Sequence, residues 1–117
     1  MAKRVVLVTG GMGGLGESIC TKMADQGYAV VATYSPTNKT SDQWLAEMKS
    51  RGYDFLAEQV DVTDFDSCAA CVQAVEKKLG QVDVLVNNAG ITRDMTFRKM
   101  TDSDGIVNYF WKAKPYL

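Results

Sequence analysis

The sequence contains no histidine, and its three cysteines, Cys20, Cys68 and Cys71, lack the spacing of a disulfide framework. An odd number of cysteines without such spacing indicates a protein of a reducing compartment. Cys68 and Cys71 form a CxxC pair about one turn inside a predicted helix, and there is no histidine to complete a zinc site. We therefore predict no metal site and interpret the cysteines as small buried residues, with a redox or metal role as the alternative.

Long apolar runs and a large excess of one charge are also missing. No apolar stretch approaches the length of a membrane span, and no signal peptide precedes the first predicted strand, so we expect a cytoplasmic protein. The net charge of -1 argues against a general nucleic-acid binder and against a membrane-surface binder. A length of 117 residues, 46% of them hydrophobic, predicts one globular domain.

Apolar segments alternate with helical patterns along most of the chain. The segments predict strands over 4–9, 29–34, 54–60 and 82–86, and helices over 15–26, 41–51 and 63–79. Gly27, Gly52 and Gly80 are predicted to end the helices. Alternation with short connections implies α/β architecture, a Rossmann-type doubly wound parallel sheet of about four strands in the order 3-2-1-4, with helices on both faces. The third and fourth strands would then lie at the edges of the sheet.

A glycine-rich run from Thr9 to Gly16 separates the first predicted strand from the first helix. The pattern Gly11-x-Gly13-x-x-Gly16 fits the general dinucleotide fingerprint, and Thr9-Gly10-x-x-x-Gly14-x-Gly16 fits a variant of it. A strand, a glycine turn and a helix N-terminus together place free N–H groups where a pyrophosphate could bind. We predict dinucleotide binding here, with a purely structural turn as the alternative.

The end of the second predicted strand lacks a carboxylate. An acid there would bind the ribose 2′-hydroxyl of NAD, but no Asp or Glu occurs between Asp25 and Asp42. The segment instead contains hydrogen-bond donors and one cation: Ser35, Asn38, Lys39 and Thr40. This composition suits a 2′-phosphate and favours NADP, although Lys39 could also be a solvated loop lysine.

Polar residues follow the third and fourth predicted strands as well. Asp61 could accept a hydrogen bond from an adenine amino group, or it could cap the next helix. Asn87 and Asn88 can bridge backbone segments, while Ala89 and Gly90 leave room for a flat ring. A simple turn is the alternative for this last segment.

These segments together resemble the short-chain dehydrogenase/reductase family. The matching pieces are Thr9-Gly10-x-x-x-Gly14-x-Gly16, Asp61-Val62 and Asn87-Asn88-Ala89-Gly90, in the family's order and spacing. The runs 11–14 and 90–100 are similar to the acetoacetyl-CoA reductases of polyhydroxyalkanoate synthesis and to the 3-oxoacyl-carrier-protein reductases. The resemblance covers residues 1–104, which would be the NADP-binding half of a Rossmann-fold reductase.

The resemblance implies an oxidoreductase that uses NADPH to reduce a 3-oxoacyl thioester, carried on CoA or a carrier protein, to the 3-hydroxyacyl thioester. Full-length relatives would be homo-oligomers. By this likeness the cofactor would contact Gly10, Met12, Gly13, Gly14, Leu15, Gly16, Ser35, Asp61, Val62, Asn88, Ala89, Gly90 and Ile91. Asp94 and Lys99 would approach the substrate. Relatives often carry an arginine near Thr40, so the phosphate contact here would fall to Lys39.

The family's catalytic residues have no counterpart in this sequence. They are a serine, an asparagine and a Tyr-x-x-x-Lys pair, in which the tyrosine donates a proton and the lysine lowers its pKa. No Tyr-x-x-x-Lys occurs here, so we assign no catalytic residue and expect no turnover. Three interpretations stay open: the cofactor-binding half of a reductase, a nucleotide binder without turnover, and a fragment that pairs with full-length subunits.

The segment 105–117 departs from the family pattern. The family commonly continues with Trp-Asp at this point, and loss of one nucleotide from those codons would give Gly105-Ile106, as observed. Our hypothesis is that 105–117 is an out-of-frame tail.

Overall fold

A computed structural model of the protein describes residues 3–88. The elements alternate strictly between strand and helix. They are β1 (Val5–Thr9), α1 (Gly14–Asp25), β2 (Ala29–Tyr34), α2 (Ser41–Ser50), β3 (Leu56–Gln59), α3 (Phe65–Leu79) and β4 (Val82–Asn87). The strands form one parallel sheet in the order β3-β2-β1-β4, which confirms the predicted fold class and strand order.

The central strand β1 is buried on both faces of the sheet. Val5 and Leu7 pack on one face against α3, whereas Val6 and Val8 pack on the other face against α1 and α2. All four side chains are at most 3% exposed. A strand covered on both sides has no polar face, which explains its continuous apolar sequence.

Several element bounds differ from the sequence predictions by one or two residues. The third strand begins at Leu56 rather than Asp54, and the preceding Phe55 ring stacks on Trp44 of α2 with ring centroids 5.5 Å apart. The N-cap of α2 is Thr40, whose carbonyl accepts from the Trp44 N–H at 2.9 Å, and the helix begins at Ser41 as predicted.

The three cysteines are buried and free, which confirms their interpretation as small buried residues. Cys20 lies on the buried face of α1, and Cys68 and Cys71 lie on the buried face of α3. Within residues 3–88, no group of three or more histidine, cysteine or acidic side chains is arranged to hold a metal ion. None of the helices in this part of the chain is long and apolar enough to cross a membrane.

The order in which strands are added to the sheet changes direction between β1 and β4, because β2 and β3 lie on one side of β1 and β4 lies on the other. The helix that follows β1 covers one face, and α3, which leads into β4, covers the other. We therefore expect a ligand crevice beyond the carboxyl ends of these two strands, since open parallel sheets bind their ligands where the winding reverses.

Candidate functional site

The glycine turn leaves β1 at Gly10, which has a φ of +62°. The N–H of Gly10 donates to the Thr33 hydroxyl at 3.3 Å, and the N–H of Gly11 donates to the Thr33 carbonyl at 3.2 Å. The turn is therefore fastened to the end of β2 before the chain enters α1.

Two glycines of the turn are required by close packing. A Cβ on Gly11 would lie 2.8 Å from the Cβ of Ala32, and a Cβ on Gly16 would collide with the carbonyl oxygen of Gly10. A Cβ on Gly14, in contrast, would meet nothing within 4 Å. Gly11 and Gly16 thus bring α1 close to the sheet, whereas Gly14 borders open space at the start of the helix.

The N-terminus of α1 carries backbone donors without a capping side chain. Gly13 is the N-cap, and its carbonyl accepts the N–H of Glu17 at 2.7 Å. The amides of the first helical turn have no helical carbonyl four residues before them to accept their hydrogen bonds. They can therefore bind an external group. Gly13 and Gly14 are exposed, and these amides together with the positive end of the helix dipole suit an anion such as a pyrophosphate.

The ends of β1 and β4 are joined by a polar network. The Thr9 hydroxyl accepts from the Asn88 N–H at 2.9 Å and lies 3.2 Å from the Asn87 side-chain oxygen, to which it can donate. The Asn88 side-chain amide donates to the Gly10 carbonyl at 3.3 Å. This arrangement confirms that Asn88 bridges backbone segments, as its position after the strand predicts.

The loop after β2 presents hydroxyl groups. The hydroxyls of Ser35 and Thr37 are hydrogen-bonded to each other at 2.9 Å. The Asn38 side-chain oxygen accepts from the Thr40 N–H at 2.7 Å, and its amide nitrogen lies 4.0 Å from the Met12 sulfur. Asn38 therefore links this loop to the glycine turn.

Asp61 follows β3 and folds back on its own loop. Its carboxylate accepts from the Thr63 hydroxyl at 2.6 Å and from the Thr63 N–H at 3.0 Å. These two bonds lower the pKa of Asp61, so it is an acceptor at neutral pH. The N-cap of α3 is Asp64, which accepts from the Asp66 N–H at 3.0 Å; the alternative that Asp61 caps the helix is therefore wrong.

These elements enclose a cleft of about 390 Å³ at the carboxyl end of the sheet. The residues lining it are Gly10, Met12, Gly13, Thr33, Tyr34, Ser35, Pro36, Asn38, Val60, Asp61 and Val62. The glycine turn, the loop after β2 and the end of β3 thus share one cavity.

The cleft contains six of the predicted cofactor residues: Gly10, Met12, Gly13, Ser35, Asp61 and Val62. Gly14, Leu15, Gly16 and Asn88 border the glycine turn without lining the cleft, and Lys39 is exposed and outside the lining. The remaining predicted residues, Ala89, Gly90, Ile91, Asp94 and Lys99, and the segment 105–117, lie outside the described part of the chain.

Sequence reasoning missed Thr33, which lines the cleft and fastens the glycine turn. The available signal was a hydroxyl residue one position before the end of an otherwise apolar strand. Such a side chain needs a hydrogen-bond partner once it is buried.

A second cleft of about 350 Å³ lies at the opposite end of the sheet. Its lining includes Asp25, Tyr28, Tyr53 and Asp54. The Tyr53 hydroxyl donates to Asp25 at 3.0 Å. This cleft is remote from the glycine turn and the crevice between β1 and β4.

Known proteins match most of this chain. The sequence model of the family described as short chain dehydrogenase matches residues 4–110. An acetoacetyl-CoA reductase of Cupriavidus necator is 47% identical over 104 residues, which cover 89% of this chain and 42% of that protein. A 3-oxoacyl-acyl-carrier-protein reductase of Staphylococcus aureus is 36% identical over an alignment of 121 positions, which covers 95% of this chain and 49% of that protein.

Solved structures share the fold. A variant of the actinorhodin polyketide ketoreductase, crystallised with NADPH, superimposes with a TM-score of 0.76 at 26% identity. The match covers 97% of this chain and 49% of that one. The chain spans less than half the length of each of these relatives.

Proposed function

The chain belongs to the short-chain dehydrogenase family, and we propose that it forms the NADPH-binding part of an oxidoreductase that reduces acetoacetyl-CoA or a related 3-oxoacyl thioester. The observation that carries this proposal is the uncapped N-terminus of α1 beside a strand end without a carboxylate. NADPH would supply the hydride that converts the 3-oxo group to a 3-hydroxyl.

The residues of the cleft fit a dinucleotide. The close packing at Gly11 and Gly16 brings the first amides of α1 to the cleft edge, where they would hold the pyrophosphate. Asp61 keeps a charged acceptor at the end of β3, which would bind the adenine amino group. Asn88, with Ala89, Gly90 and Ile91 after it, would border the nicotinamide half.

The preference for NADPH over NADH rests on the loop after β2. This loop offers the hydroxyls of Ser35 and Thr37 and contains no carboxylate that would repel a 2′-phosphate. Lys39 lies outside the lining of the cleft, so we propose that it attracts the phosphate as a nearby positive charge rather than touching it from within.

The substrate class rests on the relatives. The two curated relatives are named as reductases of acetoacetyl-CoA and of 3-oxoacyl groups on a carrier protein. We propose the same thioester class here, with Asp94 and Lys99 near the substrate and the 3-hydroxyacyl product used for polyhydroxyalkanoate synthesis. The buried free thiols suit a reducing compartment, and we place the protein in the cytoplasm.

Titration of the protein with NADPH and with NADH, followed by cofactor fluorescence, tests the cofactor assignment. We expect NADPH to bind at least about ten-fold more tightly, since one hydrogen bond to a charged group is worth that factor. The variant Ser35→Asp should reverse the preference, whereas Ser50→Asp adds the same charge on α2 outside the cleft and should not. Equal affinities in the unmodified protein would contradict the proposal.

A second candidate is a dinucleotide-binding chain without turnover. No Tyr-x-x-x-Lys pair occurs in the sequence, so the proton donor of the family has no counterpart among these residues. Mixing the purified protein with NADPH and acetoacetyl-CoA separates the two candidates through loss of the nicotinamide absorbance. Loss above the enzyme-free background would exclude the non-catalytic candidate.

A further inference from the structure

Thr33 lies at the end of β2, where its side chain reaches the glycine turn. We propose that Thr33 is a positioning residue of the dinucleotide site, acting through the Gly10 peptide. This inference rests on the proposed function, because it assumes that the glycine turn binds NADPH.

The first support is the geometry of Thr33 itself. The residue is 1% exposed, and its hydroxyl accepts the N–H of Gly10 at 3.3 Å while its carbonyl accepts the N–H of Gly11 at 3.2 Å. Thr33 alone therefore accepts hydrogen bonds from two successive amides of the turn. Because a buried hydroxyl needs a hydrogen-bond partner, the bond to Gly10 holds the Thr33 side chain against the glycine turn.

The second support is that Gly10 is held on its other side as well. Its carbonyl accepts from the Asn88 side chain at 3.3 Å and from the Gly13 N–H at 3.3 Å. The Thr33 hydroxyl on the Gly10 N–H therefore comes from β2, and the Asn88 amide on the Gly10 carbonyl comes from the residue that follows β4. The left-handed backbone of Gly10 is thus fixed from β2 and from β4 together.

The consequence concerns α1. The carbonyl of Gly10 also lies against Gly16, where no side chain fits. A rotation of the peptides next to Gly10 would therefore displace the first turn of α1, whose amides would bind the pyrophosphate. Loss of the Thr33 hydroxyl should weaken cofactor binding although Thr33 need not touch the cofactor.

The variant Thr33→Val tests this role, because valine keeps the branched shape that suits a strand but removes the acceptor. The first measurement is native-state amide exchange by NMR without cofactor. Exchange at Gly10 should become roughly ten-fold faster, the factor expected for one lost hydrogen bond. Exchange at Gly11 should stay the same, since its acceptor is the main-chain carbonyl of residue 33, which valine retains. Equal acceleration at both amides would indicate general loosening and overturn the inference.

The second measurement is NADPH affinity. Thr33→Val should raise the dissociation constant about five-fold, and Thr33→Ser, which keeps the hydroxyl, should restore it to within about two-fold of the unmodified protein. Val31→Ala is the matched control, because Val31 lies in the same strand and packs only in the core under α3. It should lower stability without changing the dissociation constant.

The two proposals fail in different ways. If the unmodified protein does not bind NADPH, the proposed function is wrong, and the exchange at Gly10 still decides whether Thr33 fixes the turn. If NADPH binds and Thr33→Val binds it as tightly as the unmodified protein, the positioning role is wrong and the proposed function stands.

Discussion

The side-chain amide of Asn88 donates to the carbonyl oxygen of Gly10 at 3.3 Å, although the two residues are separated by 78 positions in the sequence. Asn88→Ala removes this bond at the junction of β1 and β4. We expect the free energy of unfolding to fall by about 1 kcal/mol and NADPH to bind more weakly. Urea denaturation and cofactor titration measure the two effects.

Asn87→Ala is the control for Asn88. Asn87 is exposed, and its oxygen is one of two acceptors near the Thr9 hydroxyl, which can donate to the Val86 carbonyl at 3.4 Å instead. Its loss should therefore cost less than half as much stability. An equal loss in both variants would show that the bond from Asn88 to Gly10 has no special weight.

Gly16 and Gly14 should respond in opposite ways to alanine. A Cβ on Gly16 collides with the carbonyl oxygen of Gly10, so Gly16→Ala should lower the free energy of unfolding by about 1–3 kcal/mol. Gly14 is helical and faces open space, so Gly14→Ala should be neutral or stabilise the protein by up to about 1 kcal/mol. Thermal or urea unfolding of both variants provides the comparison, and equal destabilisation would disprove the packing role of Gly16.

Glu17 joins α1 to α2 through one buried and one exposed partner. The Trp44 indole N–H donates to its carboxylate at 2.9 Å, and Arg51 lies 3.5 Å from the second oxygen. Trp44 is 8% exposed, so Glu17→Ala leaves a buried donor unsatisfied and should lower the free energy of unfolding by about 1–3 kcal/mol. Arg51→Ala breaks a pair whose side chains are 48% and 34% exposed, and it should cost under about 1 kcal/mol. The reverse order in denaturant titrations would contradict this assignment.

The buried thiols predict a loss of stability in alkaline solution. Burial, aided by the Glu17 charge, raises the pKa of Cys20 from 9.0 to about 12. Burial also raises the pKa of Cys68 to about 11 and that of Cys71 to about 12. An unfolded thiol loses its proton near its ordinary pKa while the folded one keeps it, so the free energy of unfolding should fall as the pH rises above 9.0.

Urea denaturation at several alkaline pH values measures this effect, and Cys20→Ala should show a shallower decline because one buried thiol is gone. The same burial predicts that a thiol-specific reagent labels the native protein slowly and the urea-unfolded protein at once. Rapid labelling of Cys20 in the native state would contradict its burial.

The strand order could be predicted from the sequence because it follows from general constraints. The continuous apolar runs of β1 and β2 require cover on both faces, and right-handed crossovers then allow few arrangements. The less apolar segment before Val60 was predicted near an edge, and β3 is indeed an edge strand. The glycine turn could also be predicted, because the spacing of its glycines is typical of a helix that packs closely on a strand.

Two features of the site, the role of Thr33 and the position of Lys39, could not be predicted, because they depend on register and on loop direction. The pairing of Val8 with Ala32 brings Thr33 level with the start of the glycine turn, and no local pattern reveals that alignment. In the loop after β2 the Thr40 N–H donates to the Asn38 side chain, and Lys39 between them lies outside the cleft lining, a position that composition alone does not specify. The contact of Glu17 with Trp44 likewise joins two helices whose separation in space no pattern specifies.

The two residues that hold Gly10, Thr33 and Asn88, lie at very different distances from it along the sequence, which affects the order of folding. Thr33 lies 23 residues after Gly10, whereas Asn88 lies 78 residues after it. Closing the longer loop costs more chain entropy, and non-local strand pairs form late and slowly. We therefore expect the turn to gain its β2 contact first and its β4 contact only after residue 88 has been made. Binding competence should appear when β4 docks, so cofactor added to refolding protein should report this step rather than the first collapse of the chain.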